Sequence, residues 1–181
     1  YPCAASPHGR EWFDIQQGEN GAILAMDDLD ELLNSVFSEF SLPASQIILG
    51  GFSQGGMMTL AAGPAYELAG LISFSGALLT EQRLAKATGL SPPILLIHGD
   101  LDDVVPATAL RDAQSHLEEK GYDVEVVLEK GIEGHDVDEV EPIDTIWCIE
   151  LYIWDFGCGN GDVLVGHAGG VAVAFVFGLF G

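Results

Sequence analysis

The segment Gly51-Phe52-Ser53-Gln54-Gly55 is the part of this sequence with the clearest chemical meaning. The apolar run 47–50 precedes it, and small residues over 55–62 follow it. A Gly-x-Ser-x-Gly pentapeptide between a strand and a helix is typical of a nucleophile elbow, a tight turn that lifts the serine hydroxyl clear of the sheet. The helix N-terminus also places the backbone N–H of Gln54 near a developing oxyanion. We therefore predict Ser53 as a nucleophile, against the competing interpretation of a chance match in a chain with 23 glycines.

A serine hydroxyl becomes a useful nucleophile when a base removes its proton. In folds with such an elbow, the chain order is Ser, then Asp or Glu, then His. Asp100, Asp102 and Asp103 follow the third apolar run, and His135 follows the fourth. Both loops lie at carboxyl ends of predicted strands, where open α/β sheets place their sites. The order predicts a triad of Ser53, His135 and one of the three aspartates. The competing interpretations are turn-forming residues for Asp100 and Asp103 and a surface loop histidine for His135.

The other histidines fit this order less well. His116 lies within a predicted helix, and His8 and His167 lie outside the order. His98 closes the third apolar run, where packing into the core is the expected role. His135 is therefore the predicted base.

The elements that would position these residues alternate between strands and helices. Apolar residues spaced by three and four over 21–40 and 107–120 predict helices with one buried face. Apolar runs that predict strands buried on both faces occupy 47–50, 68–74 and 93–98. Alternation over 124–129 predicts a half-buried strand near a sheet edge. This pattern predicts the α/β class, with a mostly parallel sheet flanked by helices.

Composition narrows the function classes. The chain has 181 residues, 48% of them hydrophobic and 19% charged, as expected of a globular domain. Its 6 basic and 28 acidic residues give a net charge of −22, which repels polyphosphate and argues against nucleic acid as a partner. The three cysteines show neither zinc-site spacing nor a disulfide framework. We therefore expect no metal site and a reducing compartment, the cytoplasm.

The stretch from Gly9 to about Val140 resembles the phospholipase/carboxylesterase family of α/β-hydrolases, which includes bacterial carboxylesterases and acyl-protein thioesterases. The matching pieces are Trp12-Phe13-Asp14-Ile15, Leu49 to Gly56, His98 to Pro106, and Gly134-His135-Asp136. The resemblance implies an α/β-hydrolase fold with Asp102 as the triad acid. It also implies hydrolysis of small carboxylic esters or acyl thioesters through an acyl-enzyme, with no cofactor and no metal.

The sequence departs from the family at its beginning. The family carries an upstream His-Gly-x-Gly loop that supplies the second oxyanion N–H, and none precedes Trp12 here. We therefore expect a hydrolase fold without its N-terminal strands. The alternative to an active esterase is a weak or inactive hydrolase fragment that lacks the second oxyanion donor. Without its N-terminal strands the sheet would have an exposed apolar edge, which favours aggregation. Either the C-terminal tail or a second copy of the chain, in a homodimer, would cover that edge.

The end of the sequence also departs from the family. We expect a hydrolase domain over 1–156 and a glycine-rich apolar tail of uncertain structure over 157–181. From Val163 to Gly181, 19 residues contain one ionisable side chain, His167. A pair of buried strands is the preferred interpretation, followed by a membrane tail and by a segment foreign to the domain. The length of this run is marginal for a membrane span, and no basic anchors flank it. We therefore do not expect a membrane partner, and the apolar tail is the one feature that would favour one.

Overall fold

The structure is a computed structural model that describes residues 11–133, 163–168 and 171–178, the main chain alone from residue 132 onward. Its α-helices are Gly18–Phe40 (α1), Gln54–Ala62 (α2) and Thr108–Glu119 (α3). Its strands are Ile47–Ser53 (β1), Gly70–Phe74 (β2), Ile94–Leu101 (β3), Val124–Glu133 (β4), Val163–Ala168 (β5) and Val171–Gly178 (β6). Short 3₁₀ helices occupy Ile15–Gln17, Ala44–Gln46 and Gly63–Ala65.

All six strands form one sheet in the order β4-β3-β2-β1-β6-β5. β1 to β4 are parallel, as the alternating pattern predicts, and β4 lies at an edge, as its half-apolar sequence predicts. β6 is also parallel to β1, and β5 runs antiparallel to β6. The carboxyl ends of five strands therefore meet on one side of the sheet, called here the carboxyl rim. Ser53 and the loop that contains Asp102 both lie at this rim.

The apolar C-terminal segment contributes two of these strands. β6 pairs with the whole of β1, from Ile47 opposite Ala172 to Ser53 opposite Gly178. The sequence favours a strand pair in this segment, and the structure has one, in the same sheet as the strand that ends at Ser53. The division of the chain into 1–156 and 157–181 stays a prediction.

The core lies between the sheet and its helices. α1 has one buried stripe, which includes Met26, Leu29 and Leu33, as its spacing predicts. Every residue of α2 is buried, which explains why this helix has no polar face. α1 ends at Ser41, which has a left-handed backbone with φ of 52° and precedes Pro43 by two residues. Over the described ranges, no helix combines the length and the apolarity that a membrane crossing needs.

A polar network ties α1 to two loops of the domain. The Asp30 carboxylate accepts hydrogen bonds from the Tyr66 hydroxyl at 2.7 Å and from the Arg83 guanidinium at 2.6 Å. Burial, together with the hydrogen bond to Asp30, raises the pKa of Tyr66 to about 12. The Tyr66 ring also packs edge-on against Phe37 of α1, with 6.0 Å between ring centroids. This network holds the outer face of α1 against the loops that follow α2 and β2.

Candidate active site

Ser53 lies at the junction of β1 and α2, where the last strand residue becomes the N-cap of the helix. Its backbone has φ of 55° and ψ of −118°, a conformation that residues other than glycine rarely adopt. Such strain costs about 1–3 kcal/mol and persists where the surrounding structure enforces it. The strand–turn–helix context that the pentapeptide predicts is therefore present, with the strain at the serine itself.

The glycines of the elbow are required by close approach of the main chain. A Cβ atom on Gly51 would lie 2.3 Å from the carbonyl carbon and 2.4 Å from the carbonyl oxygen of Gly55. A Cβ atom on Gly56 would lie 2.7 Å from the Ser73 hydroxyl oxygen and 3.0 Å from the Gly51 oxygen. Main-chain atoms cannot move away as a flexible side chain can. Strand and helix can therefore meet at this angle only with glycines at these positions.

The Ser53 hydroxyl is buried and, among the described residues, has no hydrogen-bond partner. A buried hydroxyl is normally hydrogen-bonded, and an exception calls for a chemical reason. The positive end of the α2 dipole and the N–H of Gln54 face the same turn. This arrangement suits an oxygen nucleophile whose partners are a base and a substrate.

The Gln54 side chain has a structural role that the sequence pattern did not reveal. Its Oε1 accepts a hydrogen bond from the Trp12 N–H at 2.9 Å, and its Nε2 donates one to the Phe13 carbonyl at 2.8 Å. Gln54, Trp12 and Phe13 are all buried. The same residue thus offers its main-chain N–H at the elbow and fastens the segment before α1 with its side chain. Because the contact spans 42 positions, no local periodicity points to it.

The structure separates the three aspartates of the loop after β3. Asp102 is 8% exposed, whereas Asp100 and Asp103 are exposed. The Oδ1 atom of Asp102 accepts hydrogen bonds from the main-chain N–H groups of Val104 and Val105, each at 2.9 Å. Asp100 instead accepts the N–H of Gly131 at 2.7 Å and joins its loop to β4. Only Asp102 of the three has the burial and fixed orientation that a triad acid requires.

His98 is buried at the end of β3, as its place in an apolar run predicts, but it also makes polar contacts. Its Nε2 lies 2.7 Å from the Val105 carbonyl oxygen and 3.5 Å from Oδ2 of Asp102. His98 therefore belongs to the surroundings of Asp102, a role that the sequence analysis did not assign to it.

His135 lies outside the described residues, so its role as the base stays a prediction. Ser53 and the Asp102 loop lie on strands separated by β2, and no hydrogen bond in the described ranges joins the two side chains. The predicted triad therefore requires a base between Ser53 and Asp102. Over the described part of the chain, no group of three or more His, Cys, Asp or Glu residues is placed to hold a metal ion.

Comparison with known proteins places the chain in a family. Residues 5–144 match the phospholipase/carboxylesterase family profile. Acyl-protein thioesterase 1 of Neurospora crassa is 35% identical over 154 residues, which cover 74% of this chain and 62% of that protein. Acyl-protein thioesterase 1 homolog 1 of Dictyostelium discoideum is 31% identical over 135 residues, covering 68% of this chain and 60% of that protein.

Solved structures show the same relationship. The crystal structure of esterase PE8 superposes with a TM-score of 0.66 at 37% identity, covering 76% of this chain and 67% of that one. That of Arabidopsis thaliana SOBER1 superposes with a TM-score of 0.63 at 26% identity, covering 75% and 70%. The protein belongs to the phospholipase/carboxylesterase family and has the α/β-hydrolase fold. The chain spans about 60% of the length of the curated relatives it matches first.

Proposed function

We propose that this protein hydrolyses carboxylic esters or acyl thioesters, with Ser53 as the nucleophile. The observation that carries the proposal is the Ser53 turn: a strained serine at a helix N-terminus, with a buried hydroxyl that has no partner among the described residues. The names of the relatives support the reaction class, since they include acyl-protein thioesterases and a probable carboxylesterase. Both kinds of enzyme transfer an acyl group to water.

The reaction proceeds in two acyl transfers. The Ser53 hydroxyl oxygen attacks the substrate carbonyl carbon while His135 takes the hydroxyl proton, and Asp102 holds the imidazole in the correct tautomer. The Gln54 N–H stabilises the oxyanion of the tetrahedral intermediate. When that intermediate collapses, the alcohol or thiol leaves with the proton from His135. Water then attacks the acyl-enzyme by the same route, which releases the carboxylic acid and restores Ser53.

The Asp102 assignment is supported by how its carboxylate is held. Two main-chain N–H groups bind Oδ1, so the carboxylate cannot rotate freely within its loop. A fixed and buried carboxylate keeps a neighbouring imidazole in one orientation with little loss of entropy on reaction. Among the described residues, Asp100 accepts a single main-chain N–H, that of Gly131, and both Asp100 and Asp103 are exposed.

The charge of the protein bears on its substrates. A net charge of −22 repels anionic lipid headgroups, so small esters and acyl thioesters are preferred over anionic phospholipid in a membrane. A cytoplasmic location and a homodimer stay predictions from the sequence.

The test is a comparison of the protein with Ser53→Ala on p-nitrophenyl esters and matching thioesters of graded acyl length. Ser53→Ala is expected to abolish turnover and labelling by a fluorophosphonate probe. Ser35→Ala is the control, because Ser35 is exposed on α1, where its hydroxyl donates only to the Glu31 carbonyl of its own helix. Equal rates for the wild type and Ser53→Ala would refute the proposal.

A second observation bears on the alternative of a weak or inactive hydrolase. Oxyanion holes in this fold combine the N–H after the nucleophile with a second N–H from beside the neighbouring strand. β6 occupies the position beside β1, runs parallel to it, and brings Gly178 opposite Ser53. We infer that main-chain N–H groups at the carboxyl end of β6 supply the second donor, which favours an active enzyme.

Semisynthesis tests this donor. The Gly157-Cys158 junction permits ligation of residues 1–157 to a synthetic peptide in which one amide is replaced by an ester. An ester at Gly178, which lies opposite Ser53, is expected to lower kcat by about a hundred- to thousandfold. The control is an ester at Val173, opposite Ile48 and away from the rim. If the Gly178 ester lowers kcat no more than the control does, β6 is not the donor and the weak-hydrolase alternative gains support.

A further inference from the structure

We propose that His98 is a positioning residue for the catalytic acid: it holds the loop after β3 in the conformation that orients the Asp102 carboxylate. The proposal rests on the proposed function, in which Asp102 is the acid of the triad. It gives a role to a buried histidine that the mechanism does not use.

The first step of the argument is the Val105 peptide. The Val105 N–H donates to Oδ1 of Asp102 at 2.9 Å, and its carbonyl oxygen lies 2.7 Å from Nε2 of His98. The carbonyl can only accept, so the proton lies on Nε2 of His98. Val105 is thus bound on both sides, by the carboxylate and by the imidazole. Because Val105 and His98 are both buried, water is not at hand to replace either partner.

The second step is the position of the imidazole relative to the carboxylate. The same Nε2 lies 3.5 Å from Oδ2 of Asp102, and both side chains are 1% exposed. The Nε2 proton is donated to the Val105 carbonyl, so the imidazole acts on the carboxylate through the Val105 peptide, whose N–H binds Oδ1 together with that of Val104. The imidazole edge beside Oδ2 and the two N–H groups on Oδ1 leave the buried carboxylate little room to turn.

The histidine itself is poorly placed to be the base. Its Nε2 is already committed to Val105, and its Nδ1 is buried without a partner among the described residues. Neither ring nitrogen bonds to Ser53, whose hydroxyl has no partner there. His98 therefore acts through Asp102 and not on the substrate.

Matched substitutions test the role. His98→Phe keeps an aromatic ring of similar size but removes the donor, whereas His98→Gln places an amide N–H at about the reach of Nε2. A catalytic group displaced by about 1 Å can lose on the order of a hundredfold in rate. We expect His98→Phe to lower kcat by about ten- to hundredfold with little change in KM, and His98→Gln to recover most of the loss.

A second pair of variants, His98→Gln and His98→Asn, tests the role even if His98→Phe fails to fold. His98→Asn carries the same amide as His98→Gln, but its side chain is too short to reach the Val105 carbonyl. We expect the His98→Gln protein to turn over substrate and the His98→Asn protein to be impaired. Circular dichroism should show that both proteins are folded. Equal kcat for the Gln and Asn variants, or wild-type kcat for a folded His98→Phe, would overturn the proposal.

A double-mutant cycle separates this proposal from the proposed function. If His98 acts through Asp102, His98→Phe should add no further loss of kcat in an Asp102→Asn background. Independent, multiplying losses would show that His98 acts elsewhere and would sink the positioning role while leaving the triad intact. If Asp102→Asn alone retains wild-type kcat, the assignment of Asp102 as the acid fails, whatever His98→Phe does.

Discussion

Replacing Gln54 with methionine removes two buried hydrogen bonds while keeping the length of the side chain. The Trp12 N–H would lose its bond to Oε1 and the Phe13 carbonyl its bond from Nε2. Gln54 is 1% exposed and Trp12 and Phe13 are 4% and 6% exposed, so water cannot readily replace either bond. The segment before α1 would therefore lose its direct tie to the elbow.

The expected magnitude follows from the two main-chain groups. A buried donor or acceptor that loses its partner costs about 1–3 kcal/mol, so the pair costs about 2–6 kcal/mol. The apolar methionine side chain offsets part of this, because its burial is favourable where glutamine required partners. We expect the free energy of unfolding to fall by about 3 kcal/mol, within that range.

The assay is urea denaturation at fixed pH, followed by far-UV circular dichroism and tryptophan fluorescence. Thr59→Val is the control, since Thr59 is fully buried in the same helix and its hydroxyl donates to the Gly55 carbonyl at 2.9 Å. That carbonyl accepts from the helix in any case, so the control should lose no more than about 1 kcal/mol. A Gln54→Met protein that loses no more stability than Thr59→Val would refute the reasoning.

Three further predictions concern the elbow and one surface network. Ser53→Gly should be more stable than Ser53→Ala by about 1–3 kcal/mol in urea denaturation, because glycine relieves the positive φ of 55°. Equal stability would show that the turn is unstrained. Gly51→Ala should fail to fold, since its Cβ would lie 2.3 Å from main chain, whereas Gly89→Ala, with nothing within 4 Å, should fold normally. Circular dichroism of both proteins decides, and a well-folded Gly51→Ala would contradict the close approach. The pKa of Tyr66 is raised from 10.0 to about 12, so the protonated hydroxyl stabilises the fold fully below pH 10.0 and this contribution is lost toward pH 12. Tyr66→Phe should therefore flatten the fall in unfolding free energy over that alkaline range, and an unchanged slope would count against the raised pKa.

Local features of the site were predictable from the sequence. The elbow depends on a strand, two glycines and a helix that are consecutive in the chain, from Ile47 to Ala62. The clash that requires Gly51 is with its close neighbours Gly55 and Gly56, whereas the shortest contact at Gly56 is with Ser73 on the next strand of the sheet. The helices and parallel strands were predictable for the same reason, because the spacing of apolar residues reports directly which faces become buried. The observed β4 edge matches the alternation seen in its sequence.

Contacts between distant segments were not predictable from pattern. Three aspartates in one loop have equivalent sequence signals, and only burial and main-chain hydrogen bonds distinguish Asp102. The family resemblance implies Asp102 as the triad acid, and that role stays a prediction. Likewise, His98 reads as a core residue until the fold brings the Val105 carbonyl within 2.7 Å of its ring.

The sequence by itself determined the strand–turn–helix at Ser53, the order of strands and helices, and the family. Each of these depends on neighbouring residues or on motifs that follow one another in a set order along the chain. Only the tertiary structure decided that Gln54 fastens the Trp12–Phe13 segment and that β6 lies beside β1 with Gly178 opposite Ser53. These arrangements join residues far apart in the chain, and their energy comes from burial and hydrogen bonds that exist only after the segments have packed.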